Sequence, residues 1–316
     1  MQFIKNQRGR LLKSLFKLQL RNQRSTRSLL LALLGISLVS MGVSPHWYAV
    51  HSYEFSFLLG DAENTTSYAF QKTISAKNLP YTFCVLHENE ETASECVQQF
   101  LREIGGTAWE VKADKHRNVT FKLKKKKYSF DPNRIYTPTG VYNTLHDFSR
   151  SYSDDAFSQV TNFAKQITDS LFVKKNTLVS VHNSSEGKFS VRSYLPDSTL
   201  ANTAADLYIN DGNDEDEFFY VTIPTDFQYL KTAGFNVVLQ RPDAPDDGSL
   251  SIYCGARNIR YINVEAQHGH STEQMQMLYA VHALLEGRPT VKQFPMVGIR
   301  PLDSTKAVVK DSLIKK

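Results

Sequence analysis

Cys84-Val85-Leu86-His87-Glu88-Asn89-Glu90-Glu91-Thr92-Ala93 reads as the end of a buried strand, a His-x-x-Glu turn and the start of a helix. A His and a carboxylate three residues apart at such a junction can reach one cation together, which makes a two-ligand clip. His-x-x-Glu occurs three times, at His51/Glu54, His87/Glu90 and His270/Glu273. Only the second lies between an apolar strand pattern and a helical one. The first is expected in a linker, and the third opens a helix, where Ser271 or Thr272 with Glu273 serves equally well as capping chemistry.

Outward from this turn, strand and helix patterns alternate. Tyr53 to Leu59, Ala69 to Ile74 and Tyr81 to Leu86 have strand patterns. Glu91 to Ile104 has helical spacing and stops at Gly105-Gly106. Ala108 to Val111 and Val119 to Phe130 are expected to pair as a hairpin, with Lys124 to Lys127 on an exposed edge. Asp154 to Phe172 is an amphipathic helix, and Thr177 to Val181 is a strand closing on His182-Asn183-Ser184. Asn210 to Glu217 is an acidic, solvated loop without the EF-hand pattern. Phe218 to Ile223 and Asn236 to Gln240 are strands around a helical segment, Asp226 to Ala233. Tyr261 to Val264 is a strand closing on Glu265, and Thr272 to Leu285 is a helix. The alternation predicts one α/β domain with helices on both faces of the sheet. Polar residues after strand ends collect at one edge of such a sheet, and His87, His182 and Glu265 share that position.

These residues complement one another. His182 supplies a third ligand, and two His with one carboxylate leave a fourth position of a tetrahedral zinc open. Glu265, behind apolar residues, suits a general base. Arg134, after the Asp131-Pro132-Asn133 turn, offers a fork for a substrate carboxylate.

Of the 37 Lys and Arg in the 316-residue chain, eight fall in residues 1–27, which hold no acid; the remaining 29 face 32 Asp and Glu. The net charge of +5 therefore belongs to the N-terminus, and the folded part gives no electrostatic reason to expect nucleic acid. Leu29 to Val43 is uncharged and is followed by Ser44-Pro45. Basic, apolar, then small-residue order predicts a signal peptide, or a membrane anchor over residues 28–45, with the rest on the exported side. The expected division is a leader over 1–45, one catalytic domain over 46–300 and a tail over 301–316. Cys84, Cys96 and Cys254 are too few and scattered for a disulfide framework, and Cys84 and Cys254 sit in strand-like apolar runs.

Cys84 to Glu90, Asp131-Pro132-Asn133-Arg134-Ile135-Tyr136, Val181-His182-Asn183-Ser184 and Val264-Glu265 together resemble the zinc carboxypeptidase superfamily. They are most like its succinylglutamate desuccinylase and aspartoacylase branch, which carries His-x-Asn-Glu, Asp-x-Asn-Arg-x-Phe and His-Asn-Thr elements in this order before a late Glu. The resemblance implies a three-layer α/β/α fold with a mixed sheet. It implies His87, Glu90 and His182 as zinc ligands, Glu265 as base and acid, and Asn133 with Arg134 as the grip on a substrate carboxylate. The implied substrate is a peptide or an N-acyl amino acid with a free carboxylate. Carboxypeptidase-like cleavage, N-acyl amino acid hydrolysis and a non-catalytic, membrane-tethered ligand-binding role all remain open at this point. Glu88 stands where the branch has Gly, Tyr136 where it has Phe, and Glu265 leads into Ala266-Gln267-His268-Gly269-His270, which the branch does not show. His268 and His270 are candidates to assist the site, and Arg117 is a candidate oxyanion donor.

Overall fold

The computed structural model describes residues 47–172 and 177–289. The expected leader and the tail over 301–316 lie outside them. Among the described residues no helix is long and apolar enough to cross a membrane.

In chain order the strands are β1 (Val50–Leu59), β2 (Thr66–Ser75), β3 (Tyr81–Val85), β4 (Thr107–Lys112), β5 (Val119–Leu123) and β6 (Lys126–Phe130). They continue with β7 (Thr177–Ser184), β8 (Ala204–Tyr208), β9 (Phe218–Val221), β10 (Asn236–Gln240) and β11 (Tyr261–Gln267). The helices are α1 (Glu91–Glu103), α2 (Pro138–Phe148), α3 (Asp154–Leu171), α4 (Pro224–Ala233), α5 (Leu250–Ala256) and α6 (Ser271–Leu285). A short 3-10 turn spans Val191–Tyr194.

Nine strands form one mixed sheet in the order β1-β2-β4-β3-β7-β11-β9-β10-β8. Its centre, β4-β3-β7-β11, is parallel throughout. β2 joins β4, and β9 joins β11, antiparallel. The central strands are buried on both faces, as strands between helical layers must be. Alternation along each strand divides the core. Cys84, Leu178 and Tyr261 pack on one face with Leu145 of α2, Phe163 of α3 and Leu250 of α5. Phe83, Val179 and Ile262 pack on the other with Phe100 of α1, Phe227 of α4 and Leu278 of α6. The fold is three-layer α/β/α with a mixed sheet, as the sequence implied.

Several expectations are corrected. Thr107–Lys112 does not form a hairpin with 119–130 but enters the large sheet between β2 and β3, while β5 and β6 pair only with each other. Two apolar runs of similar length do not reveal their partners, because pairing is settled by which strand completes the buried sheet. The exposed lysines are half turn, not edge: Lys124 and Lys125 are left-handed, with φ of 50° and 64°, and close the β5–β6 hairpin. Cys254 lies in α5, not in a strand. It is buried, and so are Cys84 and Cys96; all three are free thiols. His182 and Glu265 lie inside β7 and β11, which run three residues further than their apolar stretches. β8, α2 and α5 have no counterpart in the sequence reading. In the acidic loop, Asp216 is buried, not solvated, and accepts the Gly187 N–H at 2.6 Å.

Candidate functional site

The site begins with the turn after β3. Glu90 N–H returns to His87 carbonyl oxygen at 3.1 Å, which closes a tight bend and places both side chains inward. His87 is 1% exposed and Glu90 3%. Glu88, the departure from the Gly of the branch, has a structural task. Its carboxylate accepts the amide N–H groups of Ala113 and Lys115, and so ties the turn to the loop after β4. Glu90 stands at the N-cap of α1, yet its side chain caps nothing. The orphan helix N–H of Ala93 is instead met by Asn183 Oδ1 of β7 at 3.0 Å. That exchange frees the Glu90 carboxylate for the histidines and docks α1 on β7.

β7 and β11 run side by side, and His182 lies opposite Glu265 in the register. Glu90 Oε1 is 2.8 Å from His87 Nδ1, and Glu90 Oε2 is 2.8 Å from His182 Nδ1. One ligand atom from each of His87, Glu90 and His182 lies within 4.8 Å of the other two. The remaining ring nitrogens are held from behind: His87 Nε2 by Asp131 Oδ1 at 2.8 Å, and His182 Nε2 by Ser180 Oγ at 2.9 Å. Gln274 Nε2 donates to the His182 carbonyl at 2.7 Å. A carboxylate or hydroxyl behind each imidazole fixes the ring and turns its other nitrogen towards a common point, the arrangement that metal-binding histidines require. The residues therefore fit a divalent ion of the zinc type, with two imidazole nitrogens and one carboxylate as donors.

Charge is tightly balanced here. Burial opposes the charged form of His87, but Glu90 and Asp131 outweigh it and raise its pKa to about 9. His87 accordingly donates from both nitrogens, to Glu90 and to Asp131. Burial also opposes ionisation of Glu90 and Asp131, yet the histidines hold Glu90, and His87 with Arg117 holds Asp131, far below the usual carboxylate range. For His182 burial prevails over the attraction of Glu90 and moves its pKa down. Glu265 stands apart from these. Burial first, and the Glu90 charge second, push its pKa to about 8. Asn263 Nδ2 lies 3.4 Å from its carboxylate.

His87, Glu90, His182, Glu265, Asn133 and Arg134 all line one cavity of about 690 Å³. Asn133 Oδ1 accepts the Leu250 N–H at 3.1 Å, so half of its amide is committed to starting α5. Arg134 Nη1 donates to the Asn133 carbonyl at 2.7 Å, and Nη2 lies 3.8 Å from Asp247 Oδ2. Arg117, the suggested oxyanion donor, bridges Glu90 Oε1 at 2.8 Å and Asp131 Oδ2 at 3.3 Å. His268 lines the cavity, with Nδ1 3.3 Å from both Thr92 Oγ1 and Asn183 Nδ2. His270 turns away to Glu217 Oε1 at 2.7 Å. Asp131 and Ser180 were missed in the sequence as side chains that hold imidazoles. A signal existed for Ser180, two residues before His182 on the same strand face. For Asp131 only folding reveals the contact. Asp131→Ala is expected to weaken zinc binding about 10–100-fold with the fold retained. Competitive metal titration checks this, and undiminished affinity would deny Asp131 its role.

The loop carrying Asp247 is seated by two glycines. Gly248 has φ of +76°, and a Cβ there would lie 2.4 Å from Gly140 Cα and 2.6 Å from the Arg134 carbonyl oxygen. Both are backbone atoms and cannot give way. Gly248→Ala should cost about 1–2 kcal/mol for the left-handed residue alone, and more for the clash. A denaturant midpoint equal to wild type would contradict that contact.

No family model matches the chain. No curated protein matches it either. Solved structures similar to it include a candidate metallopeptidase from Shewanella denitrificans OS217, 12% identical, with a TM-score of 0.32 over 73% of this chain and 84% of that one. An aspartoacylase family protein from Mesorhizobium loti MAFF303099 is 12% identical, with a TM-score of 0.37 over 79% and 71% of the two chains. A candidate succinylglutamate desuccinylase/aspartoacylase from Shewanella frigidimarina NCIMB 400 is 10% identical, with a TM-score of 0.33 over 78% and 73%. Likeness at this level assigns no activity, and the functional reading rests on the chain's own residues.

Proposed function

We propose that this chain is a zinc-dependent hydrolase that cleaves an amide bond next to a free carboxylate, in a peptide or an N-acyl amino acid. The observation that carries the proposal is the meeting of His87, Glu90 and His182 at one buried point, with Glu265 in register beside His182 and Arg134 in the same cavity. Two imidazoles and one carboxylate leave a zinc ion open to water and substrate, the catalytic arrangement and not the closed structural one. Zinc, when bound, supplies a Lewis acid for the scissile carbonyl and acidifies water at the site.

The chain supplies the rest. Glu265 is dry, close to Glu90 and raised in pKa, so it accepts a proton from water and returns it to the leaving amine near neutral pH. Glu265 would be ionised for the first transfer once the Glu90 charge is offset, as it would be with a cation held by His87, Glu90 and His182. Arg134 is only loosely paired with Asp247, so a substrate carboxylate competes well for its fork. Fixing the carboxylate there orients the amide over Glu265, a gain in geometry.

The test is a hydrolysis screen of the full chain with zinc, using C-terminal-carboxylate peptides and N-acyl amino acids and, beside each, the carboxyl-amidated analogue. Turnover confined to free carboxylates supports the proposal. Equal turnover of the amidated analogues would remove Arg134 as anchor, and no turnover of any member would remove the hydrolase reading.

A further inference from the structure

We propose that the site selects substrates with one carboxylate and a bulky apolar or aromatic group, in preference to dicarboxylates; this rests on the hydrolase reading above. The inference starts from the sheet register. His182 lies opposite Glu265, and Glu265 lies opposite Phe218 on the next strand. One pleat back, Asn263 lies opposite Tyr220. Ser180 and His182 of β7, Asn263 and Glu265 of β11, and Phe218 and Tyr220 of β9 therefore share one face of the sheet. Neighbouring strands lie roughly 4.8 Å apart, so the aromatic column of β9 stands about 5 Å beyond the base and about 10 Å beyond His182. A side group two or three bonds from an amide carbonyl reaches that far.

What it meets there is apolar. Tyr194 packs on Phe218 and Tyr220 at ring-centroid distances of 5.8 and 5.4 Å, and Phe189 packs on Phe218 at 5.2 Å. Phe189, Tyr194, Leu200 and Tyr220 form a continuous wall of the cavity, backed by a small core of their own. The Tyr220 hydroxyl is satisfied by the Thr203 carbonyl at 3.3 Å. Tyr194 lines the same cavity as Glu265, Arg134 and Asp247. The aromatic wall is thus part of the reacting centre's own surroundings.

Charge argues against a second carboxylate. Arg117 is taken up by Glu90 and Asp131. Arg134 can hold one carboxylate, and Asp247 stands beside it, fixed by the Ser249 N–H at 2.9 Å. Glu265, which is no part of the ligand set, lines the same space with its own negative charge. Among the described residues that line the cavity, the further lysine or arginine is Lys188, on the exposed loop after β7. A second carboxylate would have to reach that exposed ammonium, where screening by water leaves little attraction.

The measurement is calorimetric titration of the full chain, zinc-loaded, with 3-phenylpropionate and with succinate, repeated in Leu200→Gln and Lys188→Ala. Burying a phenyl group against this wall predicts tenfold to about a hundredfold tighter binding of 3-phenylpropionate. Leu200→Gln should remove most of that preference, and Lys188→Ala should leave it intact. Equal or tighter binding of succinate overturns the proposal. So does the absence of measurable binding by either probe, or an undiminished preference in Leu200→Gln. Selective binding without turnover of any amide would leave the apolar subsite standing and remove the hydrolase reading, so the two failures are distinguishable.

Discussion

Glu265→Gln lowers turnover of any accepted substrate by about 10²–10⁴-fold while zinc content stays at the wild-type level. The exchange is nearly isosteric and keeps the contact with Asn263, so what disappears is the proton acceptor. The same variant carries a stability signature with a definite sign. Glu265 in the metal-free protein has its pKa raised from an ordinary 4.5 to about 8, first by burial and then by the Glu90 charge. A raised carboxyl pKa means the fold favours the protonated form. The penalty for ionising it is absent below pH 4.5, grows as pH rises from there and is complete above about 8. Glutamine never ionises. Metal-free Glu265→Gln should therefore match wild type near pH 4–5 and exceed it by on the order of 5 kcal/mol near pH 9. Denaturant unfolding at the two pH values checks this. A gain of equal size at both would mean that Glu265 is not held protonated by its surroundings, and full turnover in the variant would end its assignment as base.

Zinc binding is the second large effect. Removal of His87 takes away one of three ligands, so His87→Ala should lose more than the roughly 10–100-fold in affinity that changes behind a ligand typically cost. The wild-type affinity should also depend on pH. His87 carries a proton up to about pH 9 because Glu90 and Asp131 overcome the cost of its burial. Ligation through Nδ1 must displace that proton. Apparent zinc affinity is then expected to rise about tenfold per pH unit towards pH 9, with proton release on binding. Titration in two buffers of different ionisation enthalpy measures the released proton directly. A pH-independent affinity, or stoichiometric zinc retained by His87→Ala, would show that the ion sits elsewhere. At a free zinc concentration a hundred times Kd, the bound ion stabilises the wild-type fold by about 2.7 kcal/mol, a shift that His87→Ala should lack.

Much of this site was legible before folding. The turn from Cys84 to Ala93 announces itself, because a fully apolar strand, a polar bend and a helix pattern follow within ten residues. His182 and Glu265 were legible for the same reason, each a polar group after an apolar run. Their exact placement was not. Each strand continues three residues past its apolar stretch because its neighbour in the register continues pairing with it. The mistaken hairpin, Cys254 in a helix and the unrecognised α2 and α5 share one cause. Short apolar segments carry no signal of their partner, and burial by distant elements decides what they become.

The sequence by itself determined the α/β class, the positions of His87, Glu90, His182, Arg134 and Glu265, and the place of Glu90 at a helix start. These follow from periodicity and residue chemistry, which act locally. The tertiary structure alone decided that Asp131 and Ser180 stand behind the histidines and that Asn183 caps α1 in place of Glu90. It also decided that Glu88 belongs to the loop after β4, and that β9 sets an aromatic wall beside Glu265. Each of these joins residues that are distant in sequence or faces fixed only by strand register. The energy that holds them comes from burying polar groups against each other, and no local pattern records which partner will meet that demand.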